Sequence, residues 1–463
     1  MTTDHSDYVL LKAEEASFRD LVRFLLFPSK STLRAITFIE SSKPVEHVDI
    51  WQRWYICVST FLQKLIIIFG TPMALSGELL EWWLNLLSSN GGVFKLWLKI
   101  IKGDKVVVPK KSSATFASVV GHLDQRVTLD KNIKPTDKKY KKSLSMMACK
   151  LSYENEAFVQ TIVKNQWEME NLGFYQFHNA YVEGASTQAI MFKDTSSNPN
   201  LIMVAFTGTK PFDPFGWQTD LDLSLLTLEG VGNIHSGFMK ALGLQKADEG
   251  WPKEIKQAIG DQRQFAYYAI RQRLREILKK NEGAKFILTG HSLGGALAIL
   301  FVTVLAKHEE AWLLERLAGV YTFGQPRVGN KQLGEYMKEK MKKYDVKYFR
   351  YVYSNDLVPR VPYDNGHSFQ HFQTCRYYSS CYQELWFEKE PNENYFSLLW
   401  AIPKYLNAFW ELIRSFIIPC IWGPDYSETL LMRMFRVIGL IIPGVPAHLT
   451  QDYVNATRLG PKM

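Results

Sequence analysis

The sequence of 463 residues predicts an α/β fold with a mainly parallel sheet, preceded by an apolar N-terminal region. From about residue 114 onward, short apolar runs typical of buried strands alternate with helical stretches, which is the pattern of a sheet covered on both faces. Hydrophobic residues make up 46% of the chain, enough for a large core and against a disordered or fibrous protein. We therefore predict two regions: residues 1–113, apolar and basic, and residues 114–463, the α/β domain.

The elements of the α/β domain follow from its apolar patterns. Four short apolar runs predict strands at residues 201–206, 285–288, 320–323 and 348–353. Helical spacing of apolar residues predicts a helix over residues 251–280, with Gly283 as its C-terminal cap.

Residues 54–101 are strongly apolar and aromatic. A helix that spans a bilayer needs about 20 uninterrupted apolar residues. Here the uncharged runs are only 10 to 13 residues long, because four charged side chains interrupt them, at Lys64, Glu78, Glu81 and Lys95. Gly70-Thr71-Pro72 is predicted to break a helix through the middle. The segment therefore favours an apolar hairpin or amphipathic helices in a membrane interface; the alternative is a helical subdomain packed on the rest.

Basic residues are concentrated where the apolar segment ends. Residues 95–142 contain thirteen Lys and Arg against four Asp, which accounts for the whole formal charge of +9. Such a patch attracts nucleic acid or anionic lipid headgroups, and the adjacent apolar segment favours lipid. We therefore interpret residues 53–142 as a lipid-surface module and predict no nucleic-acid partner. The acidic N-terminus lacks the apolar core of a secretory signal, so we expect a cytosol-facing protein.

Gly290-His291-Ser292-Leu293-Gly294 is the sharpest chemical motif. It follows a predicted strand and precedes an apolar helical run, so Ser292 would lie on a tight strand-to-helix turn that requires small residues on both sides. The free N–H groups of the helix N-terminus favour a developing oxyanion. Ser292 is therefore the candidate nucleophile. The alternative is an inert serine in a glycine-rich turn.

A nucleophilic serine needs a histidine base and an acid that orients the histidine. In folds with this turn the chain order is serine, acid, histidine, so both partners should follow Ser292. Asp356 follows a predicted strand, where its carboxylate would be held rigidly, and is the candidate acid. Asp364 is its competitor.

Four histidines follow Ser292 in the chain. His448, in a loop near the end of the chain, is the candidate base, and His367 is its nearest competitor. His371 lies beside His367 in the same segment. His308, in the helix after the nucleophile, is expected to be a solvated surface residue.

Five motifs in order carry a resemblance to a known family. They are FTGT at 206–209, GHSLGG at 290–295, TFGQPRVGN at 322–330, SNDLVPRVP at 354–362, and His448-Leu449 followed by Tyr453. Together they resemble the fungal-type class 3 lipase family, and N-terminal stretches such as SFRDLVRFLLFPSK and MACKLSYENEAFV resemble its plant oil-body lipases more narrowly. The resemblance covers essentially the whole chain. It implies an α/β-hydrolase fold and activity on acylglycerol esters at an oil–water interface.

The family's pattern also implies roles for individual residues. It places the nucleophile at Ser292, the acid at Asp356 and the base at His448. Two oxyanion donors are expected, one after the nucleophile and one from an earlier strand-end loop, and these would be Leu293 and Thr209.

Two further segments are predicted to work at the lipid interface. Residues 211–217 resemble the family's lid, an apolar flap hinged by Gly and Pro that opens onto oil. Asp220 and Asp222, just after it, are predicted to be caps or lid-anchoring partners rather than catalytic acids. An apolar, Trp-rich insertion at about 384–446 is predicted to be a second interfacial element, with a helical cap or an oligomer interface as alternatives.

These features predict a lipid-droplet- or membrane-associated triacylglycerol lipase that releases free fatty acids by a Ser-His-Asp triad. No metal or cofactor is called for. The alternatives are an acyl hydrolase of phospholipids or galactolipids and, less favoured, a structural droplet-coat protein with an inactive hydrolase domain. The expected location is the cytosol-facing surface of a lipid droplet (oil body) or of the endoplasmic reticulum.

Overall fold

The computed structural model describes residues 8–11, 13, 16–27, 37–40, 50–182, 184–245, 251–255, 263–363 and 369–460. Its strands are β1 Tyr8–Leu11, β2 Thr37–Glu40, β3 Glu170–His178, β4 Ala185–Asp194, β5 Leu201–Phe206, β6 Leu225–Leu228, β7 Gly232–His235, β8 Lys285–His291, β9 Leu317–Phe323, β10 Tyr348–Tyr353, β11 Cys375–Tyr378 and β12 Glu384–Phe387.

The first eight helices are α1 Phe18–Leu26, α2 Ile50–Ser89, α3 Val93–Lys102, α4 Val119–Leu123, α5 Tyr140–Leu151, α6 Glu156–Thr161, α7 Pro214–Leu221 and α8 Ser236–Leu242. The others are α9 Ala266–Lys280, α10 Leu293–Lys307, α11 Ala311–Leu314, α12 Lys331–Lys343, α13 Ala401–Trp422, α14 Leu430–Ile438 and α15 Thr450–Leu459. Short turns of π- or 3₁₀-helix lie at Ile162–Gln166, Val358–Arg360, Leu398–Trp400, Pro424–Tyr426 and Pro446–His448.

The central sheet has the strand order β12-β11-β10-β9-β8-β5-β4-β3. Its middle strands, from β5 through β8, β9 and β10 to β11, are parallel to one another, and the pairs at both edges are antiparallel. The four predicted strands are confirmed and lie side by side in this parallel part. Buried parallel strands read as continuous apolar runs, which is why the sequence reveals them.

Helices cover both faces of the central sheet. Helix α10 is buried from Leu293 to Ala306, which explains why it is apolar all round. It packs with α8, α9 and α12 on one face, while α5 and α15 cover the other. Ser292 lies at the junction of the central strand β8 and the buried helix α10. With this arrangement of sheet, helices and serine, the predicted α/β-hydrolase fold is confirmed.

The predicted helix over residues 251–280 is shorter than expected. Helix α9 begins at Ala266, residues 251–255 form bends, and residues 256–262 lie outside the described part. Asn281, rather than Gly283, caps its C-terminus.

The predicted break at Gly70-Thr71-Pro72 is wrong, because α2 runs through it as one helix of 40 residues. Proline removes only one backbone donor from the helix, and Ser76 donates its Oγ hydrogen to the Pro72 carbonyl at 2.7 Å. Gly70 and Gly77 are buried against residues 212–214, so tertiary packing supports the helix on both sides of the proline. Among the described helices, the stretch Cys57–Ser89 is long and apolar enough to cross a membrane by length and composition, with a mean hydropathy of 1.5.

The N-terminal region is joined to the α/β domain by a second sheet. Its antiparallel strand order is β2-β1-β6-β7, so a strand near the start of the chain pairs with one that follows α7. Helix α2 also packs along α7.

The charges that interrupt the apolar insertion face inward. Lys404, Glu411 and Arg414 of α13 are all buried. Arg414 donates to Asp452 at 2.6 Å, and Glu411 accepts from Arg436 of α14 at 3.3 Å. The opposite side of α13 exposes large apolar side chains, among them Ile402, Leu406, Phe409, Phe416 and Ile421. Four of the six buried residues of α13 are therefore polar or charged, with Ala408 and Ile418 the apolar ones, whereas its outer side is apolar.

Only part of the predicted basic patch faces solvent. Lys142 is buried, with its Nζ 2.5 Å from Glu384 Oε2, and Arg126 donates to Asp124 Oδ1 at 2.8 Å. These cations therefore hold the domain together instead of meeting a ligand. The exposed lysines of the patch are Lys95, Lys102, Lys105, Lys110, Lys111, Lys131, Lys134, Lys138 and Lys141.

Candidate active site

Ser292 lies on a strained turn between β8 and α10. Its backbone has φ 58° and ψ −131°, a conformation that non-glycine residues adopt only when their surroundings enforce it. A Cβ atom on Gly290 would lie 2.0 Å from the Gly294 carbonyl carbon, and one on Gly294 would lie 2.2 Å from the Phe206 oxygen. Both glycines of the motif are therefore required by close backbone packing.

The structure brings Ser292, His448 and Asp356 together from three distant parts of the chain. His448 Nε2 lies 2.8 Å from Ser292 Oγ, and His448 Nδ1 lies 2.9 Å from both carboxylate oxygens of Asp356. Asp356 follows β10 and is fully buried, whereas His448 lies in the Pro446–His448 turn before α15. The serine hydroxyl, the imidazole and the carboxylate thus form one continuous chain of hydrogen bonds.

Asp356 is held by further donors. Tyr453 donates its hydroxyl to Asp356 Oδ2 at 2.6 Å, and the Val358 N–H donates to Oδ1 at 2.9 Å. Gly324 permits the close approach of Asp356 and His448, since a Cβ atom there would lie 2.9 Å from Asp356 Oδ2 and 3.0 Å from the imidazole of His448. These contacts fix the carboxylate against the histidine ring.

His291 contacts His448 and was not singled out in the sequence analysis. Its Nε2 lies 2.7 Å from the His448 carbonyl oxygen, which can only accept, so Nε2 carries the proton. Its Nδ1 then accepts from the Tyr153 hydroxyl at 2.9 Å. Burial, reinforced by the charge of His448, holds the pKa of His291 well below its ordinary value, so this ring stays neutral. The signal in the sequence that could have identified His291 was its position next to Ser292 in the GHSLGG motif.

Thr209 lies in the loop that follows β5, under helix α7. Its hydroxyl donates to Asp220 Oδ2 of α7 at 2.7 Å, and a Cβ atom on Gly216 would lie 2.8 Å from its methyl group. Leu293 is the first residue of α10, where backbone N–H groups lack intrahelical acceptors. Residues of this loop, of α7 and of α10 line a cavity of about 100 Å³.

The two aspartates of α7 differ in surroundings. Burial raises the pKa of Asp220 to about 7, against the opposing effects of the Thr209 hydroxyl and the charge of His448. Asp222, the C-cap of α7, pairs with Lys240 at 2.6 Å, an anchoring role of the kind predicted. Asp220 is closer to the candidate site than the sequence indicated, because helix α7 places its carboxylate against Thr209.

The competing residues lie elsewhere. His308 is buried rather than solvated, and its ring bonds to the Tyr267 hydroxyl at 2.7 Å and the Trp251 carbonyl at 2.9 Å, because the segment before α9 packs over the end of α10. His371 lies 2.7 Å from the Pro359 carbonyl, and burial lowers its pKa to about 3. Asp364 and His367 fall outside the described residues.

The chain is similar to known lipases over most of its length. A family model described as Lipase (class 3) matches residues 203–366. The chain is 41% identical over 480 residues to the Triacylglycerol lipase OBL1 of Nicotiana tabacum, covering 88% of this chain and 83% of that protein. It is 38% identical over 501 residues to the Triacylglycerol lipase OBL1 of Arabidopsis thaliana, covering 98% and 95%.

Among solved structures, the Rhizomucor miehei lipase propeptide complex aligns at 21% identity with a TM-score of 0.37, covering 51% of this chain and 66% of that one. The plant relatives match most of the chain at more than 30% identity. The chain therefore belongs to the class 3 lipase family and is a serine ester hydrolase.

Proposed function

We propose that the protein is a triacylglycerol lipase of the lipid-droplet surface, in which Ser292, His448 and Asp356 form the catalytic triad. The observation that carries the proposal is the hydrogen-bond chain from Ser292 Oγ through the His448 imidazole to the Asp356 carboxylate. The names of the full-length plant relatives support triacylglycerol as the substrate.

In the first half of the reaction, Ser292 Oγ attacks the ester carbonyl carbon while His448 Nε2 takes the hydroxyl proton. Asp356 holds the ring by Nδ1 and stabilises the imidazolium that forms. The tetrahedral oxyanion is stabilised by the backbone N–H groups of Leu293 and Thr209. His448 then returns the proton to the glycerol oxygen, and the carbon–oxygen bond to glycerol breaks, leaving an acyl-serine and diacylglycerol.

In the second half, His448 takes a proton from a water molecule, which attacks the acyl carbonyl. Collapse of the second tetrahedral intermediate returns the proton to Ser292 Oγ and releases the fatty acid. The neutral state of His291 matters here, because a second cation stacked on the ring of His448, with centroids 4.7 Å apart, would oppose the imidazolium.

Lipid association rests on the outer surfaces of the N-terminal region and the insertion. Large apolar side chains are exposed on α2, α3, α13 and α14, and Leu398 and Leu399 before α13 are each 89% exposed. Exposed apolar patches of this extent mark interaction sites. The lysines on and after α3, such as Lys95, Lys102 and Lys105, suit the anionic headgroups of a phospholipid monolayer. We assign these surfaces to a cytosol-facing droplet or endoplasmic reticulum membrane.

Fatty-acid release by wild type and by Ser292→Ala tests the proposal. Both proteins are supplied with triolein emulsion, phosphatidylcholine and a galactolipid. We expect release from triolein by wild type and a loss of several orders of magnitude in Ser292→Ala. Preferential release from phosphatidylcholine or galactolipid would show that a polar lipid, rather than triacylglycerol, is the substrate. Equal activity of the two proteins would refute Ser292 as the nucleophile.

A further inference from the structure

The long apolar helix α2 has one narrow face that is buried, and most of the buried residues are polar or small. Six of the buried positions lie on this face, at Ser59, Thr60, Gln63, Gly70, Gly77 and Asn85. Cys57 and Leu86, toward the two ends of the helix, are also buried, and Leu86 is the one large apolar residue among them. Bulky apolar side chains are exposed elsewhere on the helix, including Phe61, Ile68, Phe69, Leu75 and Leu79. This is the reverse of the usual amphipathic pattern, in which the apolar side faces the core.

The buried face contacts the α/β domain along almost the whole helix. Ser59 Oγ donates to the Leu221 carbonyl at 2.6 Å, and Asn85 donates to the Ala117 carbonyl at 2.8 Å. Between them, Glu81 accepts from the Val119 N–H at 3.1 Å. Ser59 and Asn85 are about 39 Å apart along a straight helix, which exceeds a bilayer's hydrocarbon thickness of about 30 Å. If α2 crossed a bilayer, it would lose these contacts with the α/β domain. If α2 lies in the plane of a lipid surface, it keeps them all.

Two glycines of α2 pack against the segment that begins α7. A Cβ atom on Gly77 would lie 2.3 Å from Phe212 Cβ, and one on Gly70 would lie 3.1 Å from Pro214 Cβ. Together with Ser59 at Leu221, these contacts reach both ends of α7. On its other side, α7 lies on Thr209, through Gly216 and the Asp220 hydrogen bond. Helix α7 is thus packed between α2 and the loop after β5 that contains Thr209.

From this packing we infer that α2 lies in the plane of the lipid surface and fixes α7 on Thr209, so that residues 211–221 do not swing as a lid during turnover. The occupant of the outer face of α2 is the acyl layer of a lipid monolayer. Two observations favour it: α13 also exposes its large apolar side chains, and lysines that suit lipid headgroups follow directly in α3. The inference rests on the proposed lipid-surface function for its setting. It differs from the mobile flap that the sequence predicts.

A reversible disulfide between α2 and α7 tests the fixed contact. Gly70→Cys with Pro214→Cys places two Cβ atoms close to the separation of about 3.5–4.5 Å that disulfides require. The background carries Cys381→Ser and Cys420→Ser, which remove the two exposed thiols of the described residues. Gly70→Cys alone is the control for oxidation. The substrate is triolein droplets coated with phosphatidylcholine and phosphatidylserine.

We expect the oxidised enzyme to keep its rate within about twofold of the reduced enzyme. A larger loss that reductant reverses would show that α7 must leave α2, and would overturn the inference. Failure of the two thiols to pair would overturn the contact itself. If wild type releases no fatty acid from any lipid, the proposed function fails while the orientation of α2 remains open to a second measurement.

That measurement is the depth of spin labels along the outer face of α2 on the same droplets. Single cysteines replace Phe61, Ile68, Leu75 and Leu79 in the same background, and collision with oxygen and with a water-soluble relaxant gives the depth of each label. An in-plane helix gives the same depth at all four positions. A gradient from shallow to deep along the helix would overturn the in-plane orientation, whether or not the variants are active.

Discussion

Gly324→Ala is expected to damage the chemistry more than the fold. Gly324 has φ 58°, and an added Cβ atom would lie 2.9 Å from Asp356 Oδ2 and 3.0 Å from His448 Nδ1, against an ordinary contact of 3.4 Å or more. Asp356 and His448 must therefore shift by a few tenths of an ångström. Since a displacement of about 1 Å costs on the order of a hundredfold in rate, we expect a loss of about tenfold in kcat.

Gly283→Ala is the matched control. Gly283 has φ 77° and nothing within 4 Å of its added Cβ atom, so it carries the same backbone cost of about 1–2 kcal/mol without touching the triad. The assay is kcat on p-nitrophenyl butyrate and on triolein emulsion, together with the thermal midpoint of both variants. We expect similar midpoints, and a rate loss on both substrates only in Gly324→Ala. Equal rates in the two variants would refute the steric argument.

Three further predictions test other parts of the site and surface. Tyr453→Phe removes the hydroxyl that donates to Asp356; because hydrogen bonds to charged groups contribute about 1.5–3 kcal/mol, kcat on p-nitrophenyl butyrate should fall about tenfold or more, and an unchanged kcat would contradict this role. Burial raises the pKa of Asp220 to about 7, so its ionisation costs stability as the pH rises from about 4 to about 7. The thermal midpoint of Asp220→Asn should therefore equal that of wild type near pH 4 and exceed it above about pH 7, whereas a difference independent of pH would refute the assignment. Leu398→Glu with Leu399→Glu should lower the rate on triolein emulsion and leave the rate on soluble p-nitrophenyl butyrate unchanged, and equal loss on both substrates would rule out an interfacial role.

The central sheet and the order of the site residues are accessible from sequence because both depend on local signals. A parallel strand buried on both faces is apolar at every position, as β5 is, and the turn at Ser292 needs glycines at fixed offsets. The chain order typical of this turn leaves Asp364 and His367 as competitors, and the resemblance to the family's motifs is what favours Asp356 and His448. The structure brings His448 within hydrogen-bond distance of both Asp356 and Ser292.

What the sequence misses depends on contacts between distant residues. Helix α2 continues through Pro72 because Gly70 and Gly77 meet residues more than 130 positions later. His308 is buried because a segment some 57 residues earlier covers it. The pattern of neighbouring residues in the sequence contains no information about such distant partners. Pro72 is therefore interpreted as a helix break, and His308, which lies among charged residues, as exposed.

The inverted pattern of α13 changes which substitutions the helix tolerates. Its attachment depends on Glu411 and Arg414, whose partners Arg436 and Asp452 lie in α14 and α15. Its outward apolar residues are not needed to hold it in place. Replacing Leu406, Phe409 and similar outward residues with polar ones should therefore leave the helix attached, provided every charged residue is kept. For this helix, the usual rule of protein engineering, which preserves apolar positions and varies charged ones, is reversed.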